Sequence, residues 1–67
     1  MKPETRLLSL AEVIECCSIS RATIYRLMKK GHFPRSVQPK GCRRVVWRFS
    51  DIQDWMNDLQ YTNQNEP

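Results

Sequence analysis

Two stretches with helical periodicity are separated by only three residues, 18–20, and this spacing restricts the fold more than any other feature. The first stretch opens with the capping-box pattern Ser9-Leu10-Ala11-Glu12, and its helix is expected to end near residues 17–18. In the second, Ser20 is the predicted N-cap and Gly31 offers a left-handed C-cap. So short a connection predicts a tight helix-turn-helix corner.

After the second helix, the apolar residues no longer recur at helical spacing, and the pattern is typical of β-strands. Segments 36–38 and 42–49 are predicted to form a small β-hairpin with Lys40-Gly41 at its tip. The pattern Ser50-Asp51-Ile52-Gln53 then predicts the start of a third helix. The apolar stripe of that helix consists of Ile52, Trp55, Met56 and Leu59. We therefore expect a mainly α fold with a small β-hairpin, a winged helix-turn-helix.

The length of 67 residues leaves room for one domain with a small core. We expect that domain to span residues 6–59, with an N-terminal arm at 1–5 and a flexible polar tail at 60–67. Three cysteines, an odd number, and the absence of an N-terminal apolar stretch favour a reducing cytosol. The apolar runs are far shorter than the roughly 20 residues that cross a bilayer, so no membrane partner is expected.

Charge is strongly sorted along the chain. From Cys16 to Ser50 there is no Asp or Glu, and this window of 35 residues holds nine of the 11 basic residues. Three of the seven acidic residues, Asp51, Asp54 and Asp58, follow directly after it. Concentrated positive charge of this kind favours a polyanion, and helix-turn-helix spacing favours duplex DNA. There are two interpretations of these three aspartates. They either interact favourably with the positive N-terminal end of a helix dipole or contact the basic side of a neighbouring copy on DNA.

The second helix carries the predicted recognition face. Because a helix fits the major groove and Arg can bond both O6 and N7 of guanine, Arg21 and Arg26 are the best candidates for reading bases. Thr23 either bonds a phosphate or supports the turn. The predicted DNA-binding residues of this helix are Ser20, Arg21, Ala22, Thr23, Tyr25, Arg26 and Lys29. The alternative is that they are ordinary solvated residues of a surface helix.

Four basic residues of the hairpin are predicted to contact DNA phosphates: Lys40, Arg43, Arg44 and Arg48. One of them at the tip can also enter the minor groove. Such contacts supply affinity rather than sequence choice. An exposed strand edge also uses charge to prevent edge-to-edge pairing, but that need accounts for one or two cations rather than four.

Neither catalysis nor a bound metal or cofactor is expected. Four potential zinc ligands are present: Cys16, Cys17, Cys42 and His32. The adjacent cysteines lack the usual spacing of about two to four intervening residues. A single His and the lack of a glycine-rich phosphate loop leave no catalytic constellation. Trp47, Trp55 and Phe49 are predicted to be core residues rather than platforms for single-stranded bases.

Between about Arg6 and Leu59 the sequence resembles the AlpA-like prophage regulators, which are close to the MerR-type winged-helix excisionases. The most specific part is Ser20-Arg21-Ala22-Thr23-Ile24-Tyr25-Arg26 followed by Gly31-His32-Phe33-Pro34. The other matching stretches are Arg6-Leu7-Leu8, Val46-Trp47-Arg48, Asp51-Ile52 and Trp55. The family usually has a glycine where this chain has Val46.

The resemblance implies a small DNA-binding protein encoded on a prophage, satellite or genomic island. It implies two roles, which can coexist: regulation of transcription of the element's integrase or related genes, and excision as a recombination directionality factor. The implied partners are promoter or attachment-site DNA, an integrase, and further copies bound cooperatively to adjacent repeats.

A protein-interaction module is the alternative from another class of function. The same basic face would then dock on an acidic partner such as a response regulator or an integrase. Charge alone does not separate the two functions, whereas the helix-turn-helix spacing favours DNA.

Overall fold

Three helices and a two-stranded antiparallel sheet make up the computed structural model, which describes residues 6–62. In chain order the elements are β1 Leu7–Leu8, α1 Leu10–Cys17, α2 Arg21–Lys29, β2 Trp47–Arg48 and α3 Phe49–Asn57. This architecture confirms the predicted fold class, a small helix-turn-helix with a wing. The predicted N-terminal arm at 1–5 and residues 63–67 of the predicted tail lie outside the described residues.

Helix α1 begins with the predicted capping box. The Ser9 hydroxyl accepts the Glu12 backbone N–H at 3.2 Å, and the Glu12 carboxylate accepts the Ser9 backbone N–H at 2.8 Å. The hydrogen bond from the Ser9 backbone lowers the pKa of Glu12. Because the folded-state pKa is lowered, this stabilisation is present above the ordinary pKa of Glu and is lost as the pH falls through the lowered value.

Helix α2 follows after the predicted three-residue turn. Ser18 has a left-handed backbone with φ of 61°, and Ser20 caps α2 by accepting the Thr23 N–H at 3.2 Å.

At the C-terminal end of α2, Lys30 is the C-cap and Gly31, with φ of 79°, is left-handed as predicted. The N–H of Gly31 donates to the Met28 carbonyl at 3.0 Å and that of His32 to the Leu27 carbonyl at 2.8 Å. This pair of bonds is the Schellman arrangement.

The predicted hairpin is present but is held by a single bridge. Val37 and Val46 exchange both backbone hydrogen bonds, at 2.7 and 2.8 Å. The chain turns at the predicted tip, where Gly41 has φ of 84° and the Cys42 N–H donates to the Pro39 carbonyl at 3.0 Å. We call residues 37–46 the wing.

The strand that leaves the wing pairs with the N-terminal strand. In the antiparallel register Leu7 faces Arg48 and Leu8 faces Trp47. The sequence did not predict β1, because two residues are too few to show a strand period. The prediction that the hairpin strand continues to Phe49 is wrong, since β2 ends at Arg48.

Helix α3 starts earlier than its capping pattern predicts. Arg48 is the N-cap, without a side-chain cap bond, so the prediction of a cap at Ser50 is wrong. The physical reason lies across the sheet: the Phe49 N–H donates to the Arg6 carbonyl at 2.8 Å. That bond satisfies the first amide of the helix, and the chain passes directly from β2 into α3.

The core draws on all five elements and on the loop after α2. Its buried residues are Leu8, Val13, Ile24, Phe33, Trp47 and Ile52. Trp55 and Phe49 pack against this cluster, as predicted, and the Trp55 ring meets Phe33 edge-on with centroids 4.7 Å apart. Leu59, expected in the stripe of α3, is 56% exposed because the helix ends at Asn57. Within residues 6–62 no helix is long and apolar enough to span a membrane.

Ser9 and Ser50, which lie near the starts of α1 and α3, give a test of this fold. Ser9→Ala is expected to lower the free energy of unfolding by about 1 kcal/mol, because the cap of α1 is lost. Ser50→Ala removes no cap bond and is expected to be neutral or slightly stabilising. Urea unfolding of both variants measures the difference. A Ser50→Ala loss as large as that of Ser9→Ala would contradict the observed start of α3.

Candidate nucleic-acid interface

Helix α2 presents its predicted recognition face outward. Ile24 is buried, whereas the side chains on the other side of the helix are exposed. Those exposed residues are Arg21, Ala22, Tyr25, Arg26 and Lys29. Tyr25 is the aromatic side chain among them and is 40% exposed. The helix thus offers two guanidinium groups, one ammonium group, a phenol and a methyl group on one surface.

Ser20 and Thr23 form a closed pair at the start of α2. The Ser20 hydroxyl accepts the Thr23 N–H and donates its own hydrogen to the Thr23 hydroxyl oxygen at 3.0 Å. Thr23 is half-buried and therefore supports the turn, which is one of the two roles predicted for it. Its hydroxyl hydrogen is not used in this pair, so the same residue can still donate to an external acceptor.

The wing carries three of the four predicted hairpin cations. Lys40, Arg43 and Arg44 are exposed around a turn that is braced by the Gln38 side-chain amide, which donates to the Cys42 carbonyl at 2.8 Å. Arg44 also lines a groove with the first residues of α1, so the base of the wing lies beside the start of that helix.

Arg48 is placed apart from the wing. It is exposed on β2 opposite Leu7 and caps α3 through its backbone. On the neighbouring strand end the Arg6 guanidinium lies 5.6 Å from the centre of the Phe49 ring. The predicted hairpin cations therefore divide into a group of three in the wing and one on the sheet.

The basic side chains of these groups have no acidic partner within residues 6–62, where the structure contains no ion pair. Asp51 and Asp54 lie on α3, Asp58 is its C-cap, and all three line a groove against the loop 31–35. One basic residue of the acid-free window, Arg35, lines this acidic groove instead of joining the α2 face or the wing. Charge is thus sorted in space as well as along the chain.

The cysteines and His32 are not grouped into a site. Cys16 and Cys42 are exposed, Cys17 is half-buried, and burial raises the pKa of the Cys17 thiol, with Cys16 adding to the effect. His32 is exposed, and its backbone carbonyl is used inside the fold. Among the described residues no three His, Cys, Asp or Glu side chains are close enough together to hold a metal ion.

Comparison with known proteins assigns the same part of the chain to one family. The family model described as "Prophage CP4-57 regulatory protein (AlpA)" matches residues 6–60. A relative from Enterobacteria phage P4, described as "Uncharacterized protein ORF88", is 42% identical over 53 residues, which is 79% of this chain. The match covers 59% of the phage protein, so the chain spans less than two thirds of that relative's length.

Proposed function

The chain belongs to the AlpA family of prophage regulatory proteins, and from this premise we propose that it binds double-stranded DNA sequence-specifically to regulate a prophage or genomic island. The family is described as a regulatory protein, which supports a regulatory role rather than a catalytic one. The observation that carries the proposal is the outward face of α2, which exposes Arg21, Arg26 and Lys29 without an acidic partner among the described residues.

In this proposal α2 enters the major groove. Arg21 belongs to the first turn of the helix, which usually lies closest to the base edges, and its guanidinium can bond guanine bidentately. Arg26 follows on the same outward face, while Ala22 offers a methyl group that suits contact with thymine. Ser20 and Thr23 anchor the helix start, with the Thr23 hydroxyl hydrogen directed to a phosphate.

The wing is proposed to follow the DNA backbone. Its cations Lys40, Arg43 and Arg44 neutralise phosphates and supply affinity that depends little on sequence. Arg48 adds a phosphate contact from the sheet. Since all of these groups are exposed on a scaffold of short, hydrogen-bonded turns, they can approach a duplex without rearrangement of the core.

The biological role is proposed at the level of the mobile element. The protein acts as an AlpA-like transcriptional regulator, as an excisionase, or as both, since both roles use the same DNA contacts, and an integrase is the proposed protein partner for excision. Footprinting on the upstream promoter and on the element's attachment site separates the roles. The proposed location is the cytoplasm, on the nucleoid when DNA is bound.

Substitution of single arginines tests the recognition face. Arg21→Ala is expected to weaken binding to a cognate duplex by about 1 to 3 kcal/mol and to relax base preference, and Arg26→Ala is expected to do the same. Lys40→Ala is expected to weaken all sequences similarly. Affinity of the wild-type protein should fall with salt with a log–log slope of about −4 to −6, for roughly five to seven neutralised phosphates.

Arg35→Ala is the matched control, because it removes the same charge from the acidic groove on the α3 side. Fluorescence anisotropy with labelled duplexes is expected to show little change for this variant. A flat salt response, or an Arg35→Ala loss equal to that of Arg21→Ala, would reject the proposed face. Binding of an acidic protein instead of DNA would favour the protein-interaction alternative.

We further propose that copies bind adjacent sites cooperatively, with the acidic side of α3 facing the basic side of a neighbour. Replacing Asp54 and Asp58 by Lys is expected to weaken binding to a duplex with several sites and to leave binding to a single site unchanged. Both affinities are measured by gel mobility shift. An equal change for the single-site and multi-site duplexes would refute the cooperative contact.

A further inference from the structure

Both tryptophans donate their indole N–H to the same short segment of backbone. Trp47 Nε1 donates to the Pro34 carbonyl at 3.1 Å, and Trp55 Nε1 donates to the His32 carbonyl at 2.8 Å. The segment 32–34, which we call the joint, follows the end of α2 and leads into the wing. The indoles come from β2 and α3, so the joint is tied to both of these elements.

His32 connects α2 to α3 through its own backbone. Its N–H donates to the Leu27 carbonyl in the last turn of α2, and its carbonyl accepts from Trp55 on α3. Between the two tryptophan contacts, Phe33 is buried and packs edge-on against the Trp55 ring. Trp55 therefore contacts the joint directly where α2 ends, through the His32 carbonyl and the Phe33 ring.

We infer that Trp55 is a positioning residue for DNA recognition, which it serves by setting the direction of α2 relative to the wing. This inference rests on the proposed function, in which α2 and the wing contact one duplex together. Helix α2 has nine residues and is about 13 Å long, so a tilt of about 10° at the joint displaces Arg21 by about 2 Å. A displacement of that size breaks a bidentate hydrogen bond to guanine.

Burial separates the roles of the two tryptophans. Trp47 is 0% exposed, so its N–H needs an internal acceptor for the fold to be stable. Trp55 is only half-buried and its hydrogen bond is exposed, so water can replace the partner on either side. The Trp55 bond is thus not required by burial, and its loss is expected to affect orientation more than stability.

The test removes the N–H of Trp55 while retaining an aromatic ring against Phe33. Trp55→Phe is expected to bind the duplex that the wild-type protein selects from a random-sequence pool about three- to tenfold more weakly. Binding to poly(dI-dC) is expected to remain within about twofold, since phosphate contacts tolerate a small tilt. Residual dipolar couplings of the free protein are expected to show a changed orientation of α2 relative to β2.

Two further proteins keep the test decisive. Synthesis of the chain with 3-benzothienylalanine at position 55 keeps the shape of the indole without its N–H, and covers the case in which Trp55→Phe fails to fold. Ile14→Val trims a half-buried side chain on α1 and is expected to lower stability without changing the preference for the selected duplex.

The outcomes separate the inference from the proposed function. Unchanged couplings, unchanged affinity for the selected duplex, or equal losses on both DNAs would overturn the positioning role of Trp55. Failure of the wild-type protein to bind any duplex would overturn the proposed function. In that case the couplings still decide whether Trp55 sets the direction of α2.

Discussion

Trp47 is the residue on which the arrangement of the other elements depends. It lies in β2, pairs across the sheet with Leu8, donates its indole N–H to the Pro34 carbonyl, and is 0% exposed. A single buried residue, which directly follows the wing in sequence, therefore joins the N-terminal strand to the loop after α2. In a domain this small, where few residues are buried, loss of such a side chain removes a large share of the apolar contact.

Because the core is small, the outer faces of the helices are available for charged side chains, which are grouped by sign. Each helix has one buried residue, Val13 on α1, Ile24 on α2 and Ile52 on α3, and half-buried apolar side chains of the same helices pack around these three. The outward sides of α2 and α3 are then available, and they carry opposite charge, with arginines on α2 and aspartates on α3. A domain with one basic and one acidic side has a preferred orientation in the field of a polyanion.

Local features of the sequence predicted local features of the fold. The caps at Ser9 and Ser20 and the reversal at Gly31 depend on residues within four positions, so their patterns identify them. The outward face of α2 followed from helical period alone. The Phe49 to Arg6 hydrogen bond joins residues far apart in the sequence, so no local pattern marked the true start of α3. Strand β1 was missed because its two residues are too few to show a strand period.

The placement of the charged loop residues shows the same limit. Arg35 falls in the acid-free window, yet the structure places it on the groove with the aspartates of α3. Its position depends on the joint after α2, which is held by hydrogen bonds to tryptophans 13 and 23 residues away. The sequence grouped Arg48 with the cations of the hairpin, but pairing with β1 places it on the sheet, opposite Leu7.

Two native cysteines allow a direct test of the proposal that α2 and the wing contact duplex DNA. Cys42 is exposed in the wing, and Cys16 is exposed beside Glu12 and Glu15. The rate of alkylation of each by iodoacetamide is measured by peptide mass spectrometry, with and without saturating cognate duplex. We expect DNA to slow alkylation of Cys42 and to leave that of Cys16 unchanged. Equal slowing of both, or protection of Cys16 alone, would contradict it.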